Sequence, residues 1–206
     1  ELLNMKKKIN LSPGNATLKE IDKTVNYIQR KNNKISNSLA LLHCVSTYPT
    51  LIENANIKKI SLLKKRYPKL TIGYSNHCCE KEAVLSAVAL GAKIVEVHIT
   101  NDKKNKKFRD HRLSFDKSDL KDLVKSIKLV HKSVRNLSTN PEKIQLSSIK
   151  QMRKGIVASK EIKKGQKFTY ENIHFARPAL KYQFHDINKL IGKKSNKNFK
   201  IGFSIK

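Results

Sequence analysis

Short apolar runs alternate with helical patterns over the first two-thirds of the chain, and that alternation leaves few folds open. The runs are Lys8-Ile9-Asn10-Leu11, Leu39 to Cys44, Leu70 to Tyr74 and Ile94 to His98. After the first, Ile21, Val25 and Ile28 share one helical face behind a capping box of Thr17 and Glu20. Residues 53–66 and 80–90 read as two more helices. Residues 116–135 read as another, with Leu120, Leu123, Val124, Ile127 and Val130 at helical spacing and Asp116 or Ser118 as its cap. Strands and helices alternating at this spacing predict a parallel sheet. Four such β/α units make half of an eight-stranded barrel, and alone they leave two open edges and an uncovered apolar face. The residues therefore allow a small open α/β sheet or half of something larger.

The pattern changes beyond residue 135. Asn136, Ser138, Thr139, Asn140 and Pro141, followed by Ser147-Ser148, predict a linker over 136–151. From Met152 the apolar segments are short and turn signals frequent, as in Lys163-Lys164-Gly165, which predicts a small, mostly β module over 152–206 after a first domain over 1–135. The sequence opens on Glu1 rather than Met, so residues are expected to precede it.

With 44 Lys and Arg against 16 Asp and Glu, the net charge of +28 raises nucleic acid as a partner. Against that reading, the lysines are spread along the whole chain and aromatics are only 6%, with no aromatic–basic interleaving on which bases would stack. Solvated lysine faces account for the charge, and a positive field would still attract a phosphorylated substrate. No apolar run reaches the roughly 18 residues of a membrane span. The thiols of Cys44, Cys78 and Cys79 lack zinc-type spacing and read as reduced cysteines of a cytoplasmic protein, with Cys44 a small buried hydrophobe.

Two histidines carry the sharpest chemical signal. His77 closes Gly73-Tyr74-Ser75-Asn76-His77 and His98 closes Ile94-Val95-Glu96-Val97-His98, so each stands at the carboxyl end of a strand with one helix between them. Parallel α/β folds place their chemistry at that end. Either histidine alone reads as an ordinary structural residue. Paired on neighbouring strand ends, they suit a shared metal ion. Alternation puts Glu96 on the face of His98, which suggests a carboxylate partner for a histidine. Ser12, Ser46 and Ser75 place three hydroxyls at the same end of consecutive strands, where the Ser12-Pro13-Gly14 turn before a helix suits a phosphate. Tyr48 follows Ser46. Asp110-His111, after a lysine-rich loop, is either a proton relay or a solvated loop, and Arg177 before Pro178 is by itself an ordinary surface arginine.

Together these segments resemble the sialic acid synthase family. The likeness lies in Asn10 to Thr17, Leu41 to Thr50, Gly73 to His77, Val88 to His98 and Asp110-His111, and in a second module similar to the antifreeze-like (SAF) domain through Ile156-Val157-Ala158, Glu161 to Gly165, Glu171-Asn172-Ile173 and Ala176-Arg177-Pro178. The resemblance implies an α/β fold, the second half of a (β/α)8 TIM barrel followed by a small mostly-β SAF domain. It implies condensation of phosphoenolpyruvate with an N-acylated amino-sugar such as N-acetylmannosamine, giving a nine-carbon 2-keto acid and phosphate. His77 and His98 match positions that hold a divalent metal, manganese with magnesium or cobalt as alternatives. Ser12, Ser46 and Ser75 match phosphate-binding positions, Tyr48 and Asp110 match positions at the sugar, and Arg177 matches an arginine that reaches the partner's barrel in a homodimer with exchanged SAF domains.

The chain departs from the family pattern at Pro13, where threonine is usual, and at Asn76, where aspartate is usual. Cys78-Cys79 and Ala179-Leu180-Lys181 are further departures, and they leave legionaminic-, pseudaminic- or spore-coat-type sugars open as substrates. The family's first four strands, with the catalytic glutamate and the lysines that bind phosphoenolpyruvate, have no counterpart in these residues, so the 206 residues alone are expected to be inactive. A non-catalytic sugar-binding remnant and a basic nucleic-acid binder are the alternative readings.

Overall fold

In the computed structural model, which describes residues 7–31, 38–103, 109–135, 140 and 142–205, all six residues of strand β2 (Leu39–Cys44) are buried. Burial on both faces is what a near-continuous apolar run demands of a parallel strand. β1 (Ile9–Leu11) pairs with one side of β2 and β3 (Thr71–Asn76) with the other, and β4 (Ile94–Val97) pairs with β3. Every pairing is parallel and the strand order is the chain order.

The crossovers are α1 (Leu18–Lys31), α2 (Lys59–Arg66) and α3 (Lys81–Ala89), followed after β4 by α4 (Arg109–Leu113) and α5 (Lys117–Ser133). Leu39, Leu41, Ile72 and Tyr74 pack into one core with Ile21 and Val25 of α1, Ile60 and Leu63 of α2, Ala83, Val84 and Ala87 of α3, and Leu123 of α5. Asp116 caps α5, accepting from the amides of Ser118 and Asp119 at 2.8 and 2.9 Å. The helix expected over 53–66 is divided. A 3-10 turn at Ile52–Asn54 precedes α2, and Asn56, with φ of 48°, stands in the left-handed region that no continuous α-helix crosses.

The Thr17–Glu20 capping box forms as the sequence reading expects. The amide of Thr17 donates to Glu20 Oε2 at 2.8 Å and the amide of Glu20 to Thr17 Oγ1 at 3.3 Å. Replacing Thr17 with alanine removes a side-chain acceptor from the start of α1 and is expected to cost about 1 kcal/mol. A shift of the denaturation midpoint at constant slope measures it. No shift would mean that α1 is held by Ile21 and Val25 alone.

The chain divides into two compact units, Glu1–Asn136 and Leu137–Lys206. In the second, β5 (Gly155–Ala158) and β6 (Ile173–Ala176) pair antiparallel. Isolated bridges such as Val157 to Ser204 and Ile162 to Phe199 add to this sheet-like framework. Its core holds Ile156, Ala158, Ile162, Phe168, Ile173, Leu190, Phe199 and Ile205. The stretch expected as a linker contains two one-turn helices, α6 (Lys143–Leu146) and α7 (Ile149–Met152). Among the described residues no helix is long and apolar enough to cross a membrane.

Candidate functional site at the strand ends

One face of the first sheet packs on the helices. Strand alternation turns Cys44, Ser75 and Glu96 to the other face, and polar chemistry gathers there at the carboxyl ends. His77 follows β3 directly and His98 follows β4, and their ring centroids lie 5.3 Å apart. Tyr48, from the loop after β2, stacks at 4.0 Å on His77 and meets His98 edge-on at 5.9 Å. The structure thus brings His77, His98 and Tyr48 into one cluster from three different strand ends.

His77 is held in a defined direction. Its Nδ1 lies 2.7 Å from the Val45 carbonyl, so Nδ1 carries the proton as donor and the neutral ring keeps Nε2 as its acceptor. Nδ1 also lies 3.8 Å from Cys44 Sγ. Burial pulls the His77 pKa down, but the hydrogen bonds to Cys44 and Val45 and the charges of Cys44 and Glu96 outweigh it and leave it raised. For the Cys44 thiol burial pushes up, and the contact with His77, then with Ser46 and Ser75, outweighs it and leaves the thiol lowered. Cys44 is buried, as the sequence reading has it, but it is also a polar neighbour of the site.

Asn76 is buried, its Nδ2 donating to the Cys78 carbonyl at 2.8 Å while its Oδ1 accepts from the Cys78 amide at 3.2 Å. An aspartate could make the second bond but not the first, which gives the departure at position 76 a local reason. Glu96, expected beside a histidine, instead accepts from Ser75 Oγ at 2.6 Å, because the register sets Ser75 opposite Glu96 across β3 and β4. Its charge still reaches His77.

Ser46 is half-buried, with its hydroxyl 4.0 Å from Cys44 Sγ. The Ser12-Pro13-Gly14 turn lies against it, since a β-carbon added to Gly14 would come within 1.8 Å of Ser46 Oγ. The loops after β1 and β2 can approach this closely only because residue 14 is glycine. Asp110 and His111 sit in α4 rather than in a loop. His111 Nδ1 pairs with Thr100 Oγ1 at 2.9 Å, and the Asp110 carbonyl accepts from Ser114. The preceding residues 104–108 lie outside the described residues. Arg177 belongs to the second unit, exposed, with Nε donating to the Met152 carbonyl at 2.6 Å.

Residues 1–139 match the NeuB family and residues 153–206 match the SAF domain. The chain belongs to the NeuB family. It is 36% identical over 200 residues to the N,N'-diacetyllegionaminic acid synthase of Campylobacter jejuni, covering 97% of this chain and 59% of that protein. The N-acetylneuraminic acid (sialic acid) synthetase of Leptospira borgpetersenii, solved with citrate, superimposes with a TM-score of 0.65 at 32% identity over 72% of this chain and 50% of that one. A spore coat polysaccharide biosynthesis protein E of Chromobacterium violaceum shares the fold, with a TM-score of 0.71 at 20% identity over 99% of this chain and 60% of that one. The chain therefore spans about half to three-fifths of the length of these relatives. With these relatives, the sheet is a curled parallel half-barrel with helices, followed by a small antiparallel β unit, which is the expected fold class.

Proposed function

We propose that this chain is the His77- and His98-bearing half of a sugar-acid synthase that condenses phosphoenolpyruvate with an N-acylated amino-sugar and releases phosphate. The observation that carries the reading is the cluster of Tyr48, His77 and His98 at neighbouring strand ends in a chain of the NeuB family. Relatives bearing the names legionaminic and N-acetylneuraminic acid synthase support the sugar-acid product.

The residues fit a divalent ion as a two-donor set. His77 has its Nδ1 committed to the Val45 carbonyl, the arrangement that fixes a ligand histidine with Nε2 outward. Among the described residues no group of three or more His, Cys, Asp and Glu side chains is placed to hold a metal. Water, substrate or residues beyond these would complete the shell. Of manganese, magnesium and cobalt, the two transition metals suit a mixed imidazole and oxygen shell better than magnesium, which favours oxygen ligands alone. A bound ion would polarise the sugar aldehyde for attack.

The chain's own groups bind and orient. Ser12 and Ser46, on loops that meet at Gly14, offer hydroxyls to the phosphate. Ser75 gives its proton to Glu96, so it would serve a phosphate only after turning from that carboxylate. The Tyr48 ring packs on both imidazoles and limits where the sugar can lie. Asp110 is proposed at the sugar and Arg177 at the barrel of a partner in a homodimer.

The test supplies phosphoenolpyruvate, manganese and a series of N-acylated amino-sugars to the whole gene product containing this chain. Phosphate release is expected only with both sugar and metal, and chelation should abolish it. The polypeptide of these 206 residues alone is expected to release none. Release without sugar, or no release with any N-acylated amino-sugar, would overturn the reading.

A further inference from the structure

The loop after β2 folds around a buried threonine, which bonds both to the His77 carbonyl and to the loop carbonyl that His77 itself uses. Thr50 is 3% exposed. Its amide donates to the His77 carbonyl at 2.8 Å. Its hydroxyl lies 2.8 Å from the Thr47 carbonyl, 2.8 Å from Thr47 Oγ1 and 3.3 Å from the Val45 carbonyl. A hydroxyl has one proton, which these two carbonyls share, and it accepts from the Thr47 hydroxyl. The Val45 carbonyl is also the acceptor for His77 Nδ1 at 2.7 Å.

These contacts close a ring of bonds from the Thr50 amide to the His77 carbonyl, from the His77 imidazole to Val45, and from Val45 back to the Thr50 hydroxyl. The same short loop carries Ser46 and Tyr48, and Tyr48 stacks on His77. Among the described residues the loop after Cys44 pairs with no further strand, and these bonds help to set its shape.

We infer that Thr50 is a positioning residue that fixes His77 as its Nδ1-protonated tautomer by holding the Val45 carbonyl in place. Thr50 touches no reacting atom. It acts through Val45 and His77, and through the pose of Tyr48. The inference rests on the proposed role of His77 as a ligand only for its consequence in metal affinity, because the tautomer itself is a property of the metal-free protein. Groups that orient a ligand histidine typically change metal affinity about 10- to 100-fold when removed.

The experiment uses the whole gene product labelled with 15N-histidine, compared as wild type, Thr50→Val and Thr50→Ser. Valine keeps the shape and removes the hydroxyl, while serine keeps the hydroxyl. In the metal-free wild type and in Thr50→Ser, the His77 nitrogen shifts are expected to report one tautomer protonated at Nδ1. In Thr50→Val they are expected to move to a mixture, and manganese affinity measured by titration should fall about tenfold. A Thr50→Val protein with wild-type His77 shifts overturns the inference, and so does a Thr50→Ser protein that behaves like Thr50→Val. Should Thr50→Val fail to fold, Thr50→Ala is read in the same way. A wild type that shows the Nδ1 tautomer yet binds no manganese would instead defeat the ligand reading and leave the tautomer result to decide the role of Thr50.

Discussion

His77→Ala and His98→Ala are each expected to lower the metal-dependent synthase rate of the whole gene product by on the order of 10³-fold. The expectation follows from donor count. Among the described residues these two imidazoles are not joined by a third metal-binding side chain of the His, Cys, Asp or Glu type, so losing one halves what the described residues give to the shell. Glu96 cannot simply take the place of either histidine while it accepts from Ser75 Oγ at 2.6 Å. His77→Ala also removes the ring on which Tyr48 stacks at 4.0 Å, so it should weaken sugar binding more than His98→Ala, whose ring meets Tyr48 only edge-on at 5.9 Å. The measurement is the manganese activation curve of each variant, with unfolding of the metal-free protein followed in parallel. Unchanged activation in either variant removes that histidine from the ligand set. A rate loss that tracks loss of fold would assign the effect to stability.

The path from sequence to this site was uneven, for identifiable reasons. Periodicity sufficed for the strands and for α1 and α5, because Ile21 and Val25 or Leu120 and Leu123 mark a helical face and Thr17 or Asp116 mark a start. The cluster of His77 and His98 was legible because both stand at one end of adjacent parallel strands, and that end is fixed by chain direction alone. Side-chain partners across strands were not legible. They depend on register, and a shift of one residue turns every side chain over. Alternation put Glu96 and His98 on one face, but only the pairing of Ser75 with Glu96 shows which group the carboxylate holds. Cys44 and Thr50 were missed as parts of the site for a related reason. Cys44 closes an apolar run and reads as core, and Thr50 lies in a loop whose hydrogen bonds return to Val45, Thr47 and His77 without any periodic signal. A threonine following a Tyr-Pro turn near a strand-end cluster was the one available hint. The left-handed Asn56 that divides the 53–66 segment could have been suspected from asparagine's tolerance of that conformation, yet apolar spacing on both sides of it suggests one continuous helix.

Gly73→Ala is expected to destabilise the protein by about 1–3 kcal/mol and to loosen the histidine cluster with it. Gly73 lies in the middle of β3 and pairs with Ile94 of β4. A β-carbon there would stand 2.7 Å from the Ile94 carbonyl oxygen, 2.9 Å from Leu42 Cγ and 3.1 Å from Ile94 Cβ. The first of these is backbone and cannot swing aside as a side chain would. Relief therefore requires β3 and β4 to part or Leu42, itself fully buried, to leave its place. Interiors packed to crystal density transmit such strain rather than absorb it. Ser75 and Glu96 are the next inward pair along the same ladder, and His77 and His98 follow at its end, so a widened ladder lengthens the Ser75–Glu96 bond and separates the two imidazoles. Stability and metal affinity should thus fall together in Gly73→Ala. Thr17→Ala, whose side chain bonds only within the first turn of α1 to Glu20, should lower stability alone. The denaturation midpoint and the manganese titration, made on both variants, separate the two cases. Wild-type stability in Gly73→Ala would show that the sheet yields at no cost, and lost stability with wild-type affinity would show that the histidines are held by their own loops rather than by the ladder beneath them.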